Sequence, residues 1–173
     1  DAAELEAMIP AALRLGAPCA IRYPKNAECL PDGYAVDGFE IGCWQSLRRG
    51  DDAALVATGT MTAAALRVAD RLEAEDIRLT VVNDGACLDA LFARNIPILT
   101  LEEHVAMGGF GSAVLEYAAA VGAAVRIRTL AVGDFFVPHG DHAHLLKDVG
   151  LDDESIAQAV RTTVREAGVC SVR

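Results

Sequence analysis

The stretch TLEEHVAMGGFGSAVLEYAAA, Thr100 to Ala120, joins an apolar, strand-like run to three glycines and then to a helix-like run. Units of this kind, repeated, build a parallel sheet with helices packed on it. A glycine-rich turn from strand to helix is also a place where proteins hold phosphate, because free backbone amides gather there. The details here speak for a turn. A phosphate-binding P-loop needs lysine and then Ser or Thr after its last glycine, whereas Ser112 and Ala113 follow Gly111. The dinucleotide fingerprint needs a third glycine where Val114 stands. Glu102 and Glu103 lie just ahead, where they would repel phosphate. The glycines then bring backbone close to backbone.

Outward from this unit the same alternation continues. AALVATGT (residues 53–60), IRLTVVN (77–83) and IPILTLEEH (96–104) read as buried strands, and MTAAALRVADRLEAED (61–76) as a helix. CLDALFARN is a short helix, SAVLEYAAAVG a longer one, and AVRIRTLAV alternates like an edge strand. DHAHLLKDVG and DDESIAQAVRTTVREAG close the chain as helices, with Asp141 and Asp152 as N-caps. Continuous apolar strands imply a mostly parallel sheet with helices on both faces. At the other end, AAELEAMIPAALRL has helical spacing that Pro10 kinks or restarts and Gly16 ends. PCAIRYPK is a short strand stopped by Pro24. The polar stretch from Asn26 to Gly38 is the best linker, and EIGCWQSLRRG is the first strand and turn of a second unit.

The 173 residues are 53% hydrophobic, enough for one well-buried core. A net charge of −10 argues against nucleic acid and anionic lipid as partners. No apolar run is long enough to cross a bilayer, and no signal peptide is expected. The five cysteines, Cys19, Cys29, Cys43, Cys87 and Cys170, form no CxxC pair; reduced thiols in a cytoplasmic protein are the simpler reading, with Cys29 and Cys170 exposed. The chain starts at Asp1 inside a helical pattern, which reads as a piece of something longer.

Chemistry-bearing residues are few. His139, His142 and His144 do not converge on one helical face, so they read as a solvated helix start and not as a metal site. His104 beside the glycine turn reads as a hydrogen-bonded structural histidine. Glu102 and Glu103 are adjacent and point to opposite faces if they lie in a strand. No Ser-His-Asp or Cys-His arrangement is legible, so no catalytic residue is assigned. Arg22 and Lys25 flank Tyr23-Pro24 at the end of a strand-like run. Ligands of open parallel sheets bind beyond the carboxyl ends of strands, where a cation can meet a phosphate. From spacing alone, that reading and an ordinary surface lysine with a salt-bridged arginine stay equally open.

The order AIRYPK, EIGCWQSLRRGDDAALVATGTM, TVVN, LTLEEHVAMGGFGSAVLEY and DFFVPHGDHAHLLKDVGLDDESIAQAV resembles the C-terminal part of the 1-deoxy-D-xylulose-5-phosphate synthases, over nearly the whole chain. EEHVAMGGFGSAV and DFFVPHG…LLKDVGLD are the most specific pieces; they separate this family from transketolase proper and from 2-oxo-acid dehydrogenase beta subunits. The resemblance implies an α/β, transketolase C-terminal-domain-like three-layer sandwich. Residues 1–26 would end the pyrimidine-binding middle domain, 27–39 would be a linker, and 40–173 the C-terminal domain. It implies a cytoplasmic homodimer that uses thiamine diphosphate and magnesium. Such an enzyme decarboxylates pyruvate and adds the two-carbon carbanion to glyceraldehyde 3-phosphate, supplying isoprenoid, thiamine and pyridoxal synthesis. The family's phosphate-binding arginine, in RYPRG, falls on Lys25, with Arg22 in the same motif; charge is kept and the bidentate fork is lost. The family's Gly-Asp-Gly…Asn element and its pyrimidine-activating glutamate lie upstream, and PDGY and NDGA do not replace that element. This chain alone is therefore expected to bind no cofactor or metal and to be inactive. A short family loop after TVVN is missing where Asn83 runs into Asp84, by deletion or by omission from the chain. Another transketolase-family enzyme, or a non-catalytic dimerisation or regulatory domain, is the rival reading.

Overall fold

Strand β2, Ala53–Ala57, is wholly shut off from water along its length. That requires cover on both faces and hydrogen-bonded neighbours on both edges. The computed structural model supplies all of these, and it describes residues 1–25, 29–35, 38–43, 45–83 and 88–168. With β1 (Gln45–Arg48), β3 (Leu79–Asn83), β4 (Ile98–Val105) and β5 (Ile127–Val132), β2 forms a five-stranded sheet in the order β1-β3-β2-β4-β5. β2 runs parallel to β3 and β4, and β4 parallel to β5; β1 alone is antiparallel, Gln45 facing Asn83.

Alternate side chains of the strands feed two cores. Leu55, Leu79, Val81, Leu99 and Leu101 pack with α2 (Met61–Glu73) and α6 (Asp153–Glu166). Ala54, Val56, Val82 and Ile98 face the other way, toward Leu91 and Phe92 of α3 (Leu88–Phe92) and Phe110 of α4 (Phe110–Ala120). Helices thus cover both faces, as expected for the three-layer α/β sandwich. α2 carries the chain from β2 to β3, whereas α3 brings it back past β2 to β4. The winding reverses between β2 and β4, which makes the crevice beyond their carboxyl ends the topological switch point.

Three expectations need correction. Residues 18–25 form no strand: they run as irregular, largely exposed chain outside the sheet. A strand is stable only with ladder partners, and none of the described strands offers it one. α1 (Ala2–Arg14) runs unbroken through Pro10, and a capping box between Asp1 and Glu4 fixes its start. Asp152 stands at the N-cap of α6, but its carboxylate accepts from the Ser155 hydroxyl and not from a backbone amide. Asp141 does cap α5 (His142–Asp148), accepting from the Ala143 amide at 3.1 Å. β5 is an edge strand as read. The proposed linker is docked: Leu30 and Tyr34 pack against the larger core. The Asn83–Asp84 junction, Asn26, Cys87 and Cys170 lie outside the described residues.

Candidate functional site

The carboxyl edge of the sheet gathers most of the polar side chains that sequence analysis singled out. β4 bulges there: Leu101 pairs with Leu130 and Val105 with Val132, so Glu102, Glu103 and His104 occupy an irregular stretch. Bulges of this kind re-aim side chains. Glu102 turns to one side and is 2% exposed. Its two carboxylate oxygens accept the amides of Phe110 and Gly111, each at 2.7 Å. These are amides of the first turn of α4, where a negative charge is favoured by the helix dipole. An internal carboxylate therefore occupies the place where a phosphate would sit.

Each of the three glycines has its own reason, Gly108 in its backbone angle and Gly109 and Gly111 in close packing. Gly108 adopts φ +69°, which side-chain-bearing residues rarely take. A Cβ on Gly109 would lie 2.6 Å from the Val105 carbonyl oxygen and 2.8 Å from Glu102 Oε1. One on Gly111 would lie 2.6 Å from Thr129 Oγ1 and 2.7 Å from Thr100 Oγ1. Those two hydroxyls are buried side by side, on paired residues of β4 and β5, with no hydrogen-bond partner in the protein. The turn reading of the stretch stands. Sequence analysis missed the role of Glu102; the signal available was a carboxylate ending a strand just ahead of a helix that begins without a capping side chain.

Glu103 points the other way. It accepts the Thr60 hydroxyl at 2.9 Å, at the start of α2, and meets His142 Nε2 at 2.8 Å, at the start of α5. The carboxylate sits between the hydroxyl and the imidazole, so histidine is not placed to take a proton from threonine. This is a structural tie, not a nucleophile with its base. His104 meets the Val105 carbonyl through Nδ1 at 3.1 Å. His144 turns back to Asp141, at 3.5 Å. Hydrogen bonds from the His144 amide and ring and from the Ala143 amide hold the Asp141 carboxyl below its usual range. The histidines diverge, and among the described residues no three His, Cys, Asp or Glu side chains could hold a metal ion.

Beside the end of β3, Asn83 accepts from Thr62 at 2.8 Å and donates to Glu4 of α1 at 2.9 Å. A cavity of about 220 Å³ opens there, lined by Glu4, Phe39, Glu40, Gln45 and Asn83. Its two carboxylates make it unsuited to a phosphate. Arg22 and Lys25 are exposed on the irregular chain between α1 and the Pro31–Tyr34 turn. They are not part of the polar group at the sheet's carboxyl edge. Cys19, Cys29 and Cys43 are exposed and form no disulfide.

The family model for transketolase, C-terminal domain, matches residues 42–156. The 1-deoxy-D-xylulose-5-phosphate synthase of Exiguobacterium sibiricum is 34% identical over 180 residues, covering 99% of this chain and 28% of the relative. That of Aquifex aeolicus is 37% identical, covering 95% of this chain and 27% of the relative. The chain thus spans little more than a quarter of these relatives' length. Among solved structures, a chain described as "Split gene transketolase, inactive beta4 tetramer" superposes with a TM-score of 0.66 at 33% identity, covering 79% of this chain and 46% of that one. A transketolase mutant from Pichia stipitis, 20% identical with a TM-score of 0.52 over 70% of this chain and 18% of its own, shares the fold.

Proposed function

Because the chain belongs to the transketolase C-terminal domain family, we propose that it is the carboxyl-terminal part of a thiamine-diphosphate-dependent 1-deoxy-D-xylulose-5-phosphate synthase. In this reading the whole polypeptide condenses pyruvate with glyceraldehyde 3-phosphate as a cytoplasmic homodimer. Residues 1–26 end its middle domain and 27–39 connect to the C-terminal domain. The observation that carries the reading is 34% and 37% identity to two synthases over nearly all of the chain.

The described residues do not fit the cofactor. None of them cluster as a magnesium site, and the amides at the glycine-rich helix start already bind Glu102. In this reading cofactor chemistry belongs to other parts of the polypeptide, and this chain contributes packing and a substrate contact. Lys25, with Arg22 beside it, is the proposed contact for the aldehyde's phosphate; both are exposed and cationic.

The test is to express the complete reading frame that contains this chain and supply thiamine diphosphate, magnesium, pyruvate and glyceraldehyde 3-phosphate. Formation of 1-deoxyxylulose 5-phosphate with release of carbon dioxide is expected. The 33% identity to a split-gene transketolase chain favours a second reading, a transketolase-type enzyme with a phosphorylated ketose donor. Turnover with such a ketose but not with pyruvate would select it and reject the first.

A further inference from the structure

We propose that the outer edge of β5 is an interface with a second copy of this chain, the two β5 strands pairing antiparallel about a twofold axis near Leu130. The inference rests on the homodimer in the reading above and not on its chemistry. The two edges of the sheet are finished differently. β1 has four residues, and its register with β3 shifts between Ser46 and Arg48, so it offers little to a further strand. β5 has six residues with no proline or glycine among them, and none of the described strands lies beyond it. The Ile98 amide donates to the Arg126 carbonyl at 2.9 Å, and the Ala106 amide to the Val132 carbonyl at 3.1 Å. Even-numbered residues of β5 therefore turn their backbone groups toward β4, and Ile127, Thr129 and Ala131 turn theirs outward. A row of unpaired amides and carbonyls on a half-buried strand is a template for another strand.

What flanks that row is self-complementary. Ahead of β5 the chain reads Val121-Gly122-Ala123-Ala124-Val125, wholly apolar, with Val121 and Ala124 exposed. After β5 the Phe135 amide donates to the Gly133 carbonyl at 2.9 Å, and the chain turns to present Phe135, Phe136 and Val137, all exposed. An antiparallel pair sets the start of one strand beside the end of the other, so these apolar ends meet. On α4, Tyr117 bonds Asp89 of α3, which leaves the exposed Leu115 on the opposite side, toward β5. Val121, Leu115 and the residues after β5 expose on the order of 500 Å² of apolar surface, a large part of the roughly 800 Å² that each partner of a stable complex buries. The charges favour the same alignment. Centred on Leu130, it pairs Thr129 with Ala131 and sets Arg126 opposite Asp134 of the second copy, with Arg128 diagonal to that carboxylate. Moving the centre to Thr129 would place Arg128 diagonal to its own copy, which the like charges disfavour.

The experiment introduces Arg126→Cys and Asp134→Cys together into the complete polypeptide. Both positions are exposed. Within one chain they stand at opposite ends of β5, roughly 26 Å apart along extended chain, too far for a disulfide, so a link between them joins two copies. Mild oxidation should give a covalent dimer with a 126–134 disulfide, identified by mass spectrometry of the linked peptides, and neither single variant should give it. In sedimentation, Asp134→Arg should raise the dissociation constant of the dimer about ten-fold, and Arg126→Asp added to it should bring the value back. A dimer that forms no 126–134 link, or one that Asp134→Arg leaves unchanged, would overturn the proposal. So would a monomeric polypeptide whose Thr129 and Ala131 amides already exchange slowly, because another part of the same polypeptide would then cover the edge. A polypeptide that forms the link but makes no 1-deoxyxylulose 5-phosphate would keep this interface and refute the functional reading instead.

Discussion

Replacing Glu102 by glutamine should destabilise the fold by about 2–4 kcal/mol. The carboxylate is 2% exposed and takes two amides at 2.7 Å, one on each oxygen. Glutamine keeps one acceptor oxygen and sets an NH2 group against the second amide, donor facing donor. A buried amide left without an acceptor costs about 1–3 kcal/mol. Removing the negative charge from the start of α4 adds roughly 1 kcal/mol. For a chain of this size each kcal/mol lowers the melting temperature by about 2–4 °C, so a fall of about 4–16 °C is expected. Calorimetric melts and urea titrations of wild type and Glu102→Gln measure it, and amide exchange at Phe110 and Gly111 should accelerate in step. Glu103→Gln is the control: its partners are a hydroxyl and a half-exposed imidazole, and its loss should stay near 1 kcal/mol or below. A Glu102→Gln variant within about 0.5 kcal/mol of wild type would show that the α4 amides find water or other acceptors at no penalty, and the account of the glycine turn would fall with it.

Gly111→Ala should cost about 1–3 kcal/mol, since the new methyl would crowd Thr100 and Thr129; unaltered urea unfolding would contradict the close packing. Thr100→Val should leave stability unchanged or raise it by roughly 1 kcal/mol, because the buried hydroxyl it removes has no protein partner; a clear loss in the same titration would mean that the hydroxyl is bonded in solution. Arg161 bonds Glu75 at 2.8 Å and Glu154 at 3.2 Å. Hydrogen bonds from Arg161 hold Glu75 below the usual carboxylate range, and those from Arg71 and then Arg161 do the same for Glu154. Stability from these pairs is present above the unfolded carboxylate pKa and fades as pH falls through the depressed folded values. NMR titration of Arg161→Gln should show the Glu75 midpoint moving upward, and an unmoved midpoint would reject the assignment. In the complete polypeptide, Lys25→Ala should raise the KM for glyceraldehyde 3-phosphate by roughly ten-fold while the KM for pyruvate holds; no change for the aldehyde removes Lys25 from the site.

The interior of the fold was open to reading because its strands are short apolar runs between turn residues. Ala53–Ala57, Leu79–Asn83 and the start of β4 carry their burial in their composition. Local polar signals also read correctly where partners are near in sequence, as with Asp141 and the Ala143 amide. What failed was anything decided at a distance. IRYPK has strand composition, yet a strand exists only if another lies beside it, and composition does not report that. Tyr34 looked like linker because its partner Asp70 is 36 residues away. Asp152 has the right residue type for a cap but spends its carboxylate on Ser155. Glu102 was visible as a charge unfavourable to phosphate, and its role as the anion itself depends on the bulge that turns it toward α4.

The opposed aim of Glu102 and Glu103 bears on how the sheet assembles. A slip of β4 by one residue along β2 would put Leu101 in the place of Glu102 or, in the other direction, Glu102 in the place of Leu101. The first leaves the α4 amides without their acceptor, and the second drives a charge into the core beside α2. Either error alone is worth several kcal/mol. The apolar residues around them, Leu99 and Leu101 on one side and Ile98 on the other, are similar enough in bulk that packing alone distinguishes the two alignments weakly. The acidic pair therefore acts as a key that fits one alignment only. It steers a slow-forming parallel strand away from a misaligned trap during folding.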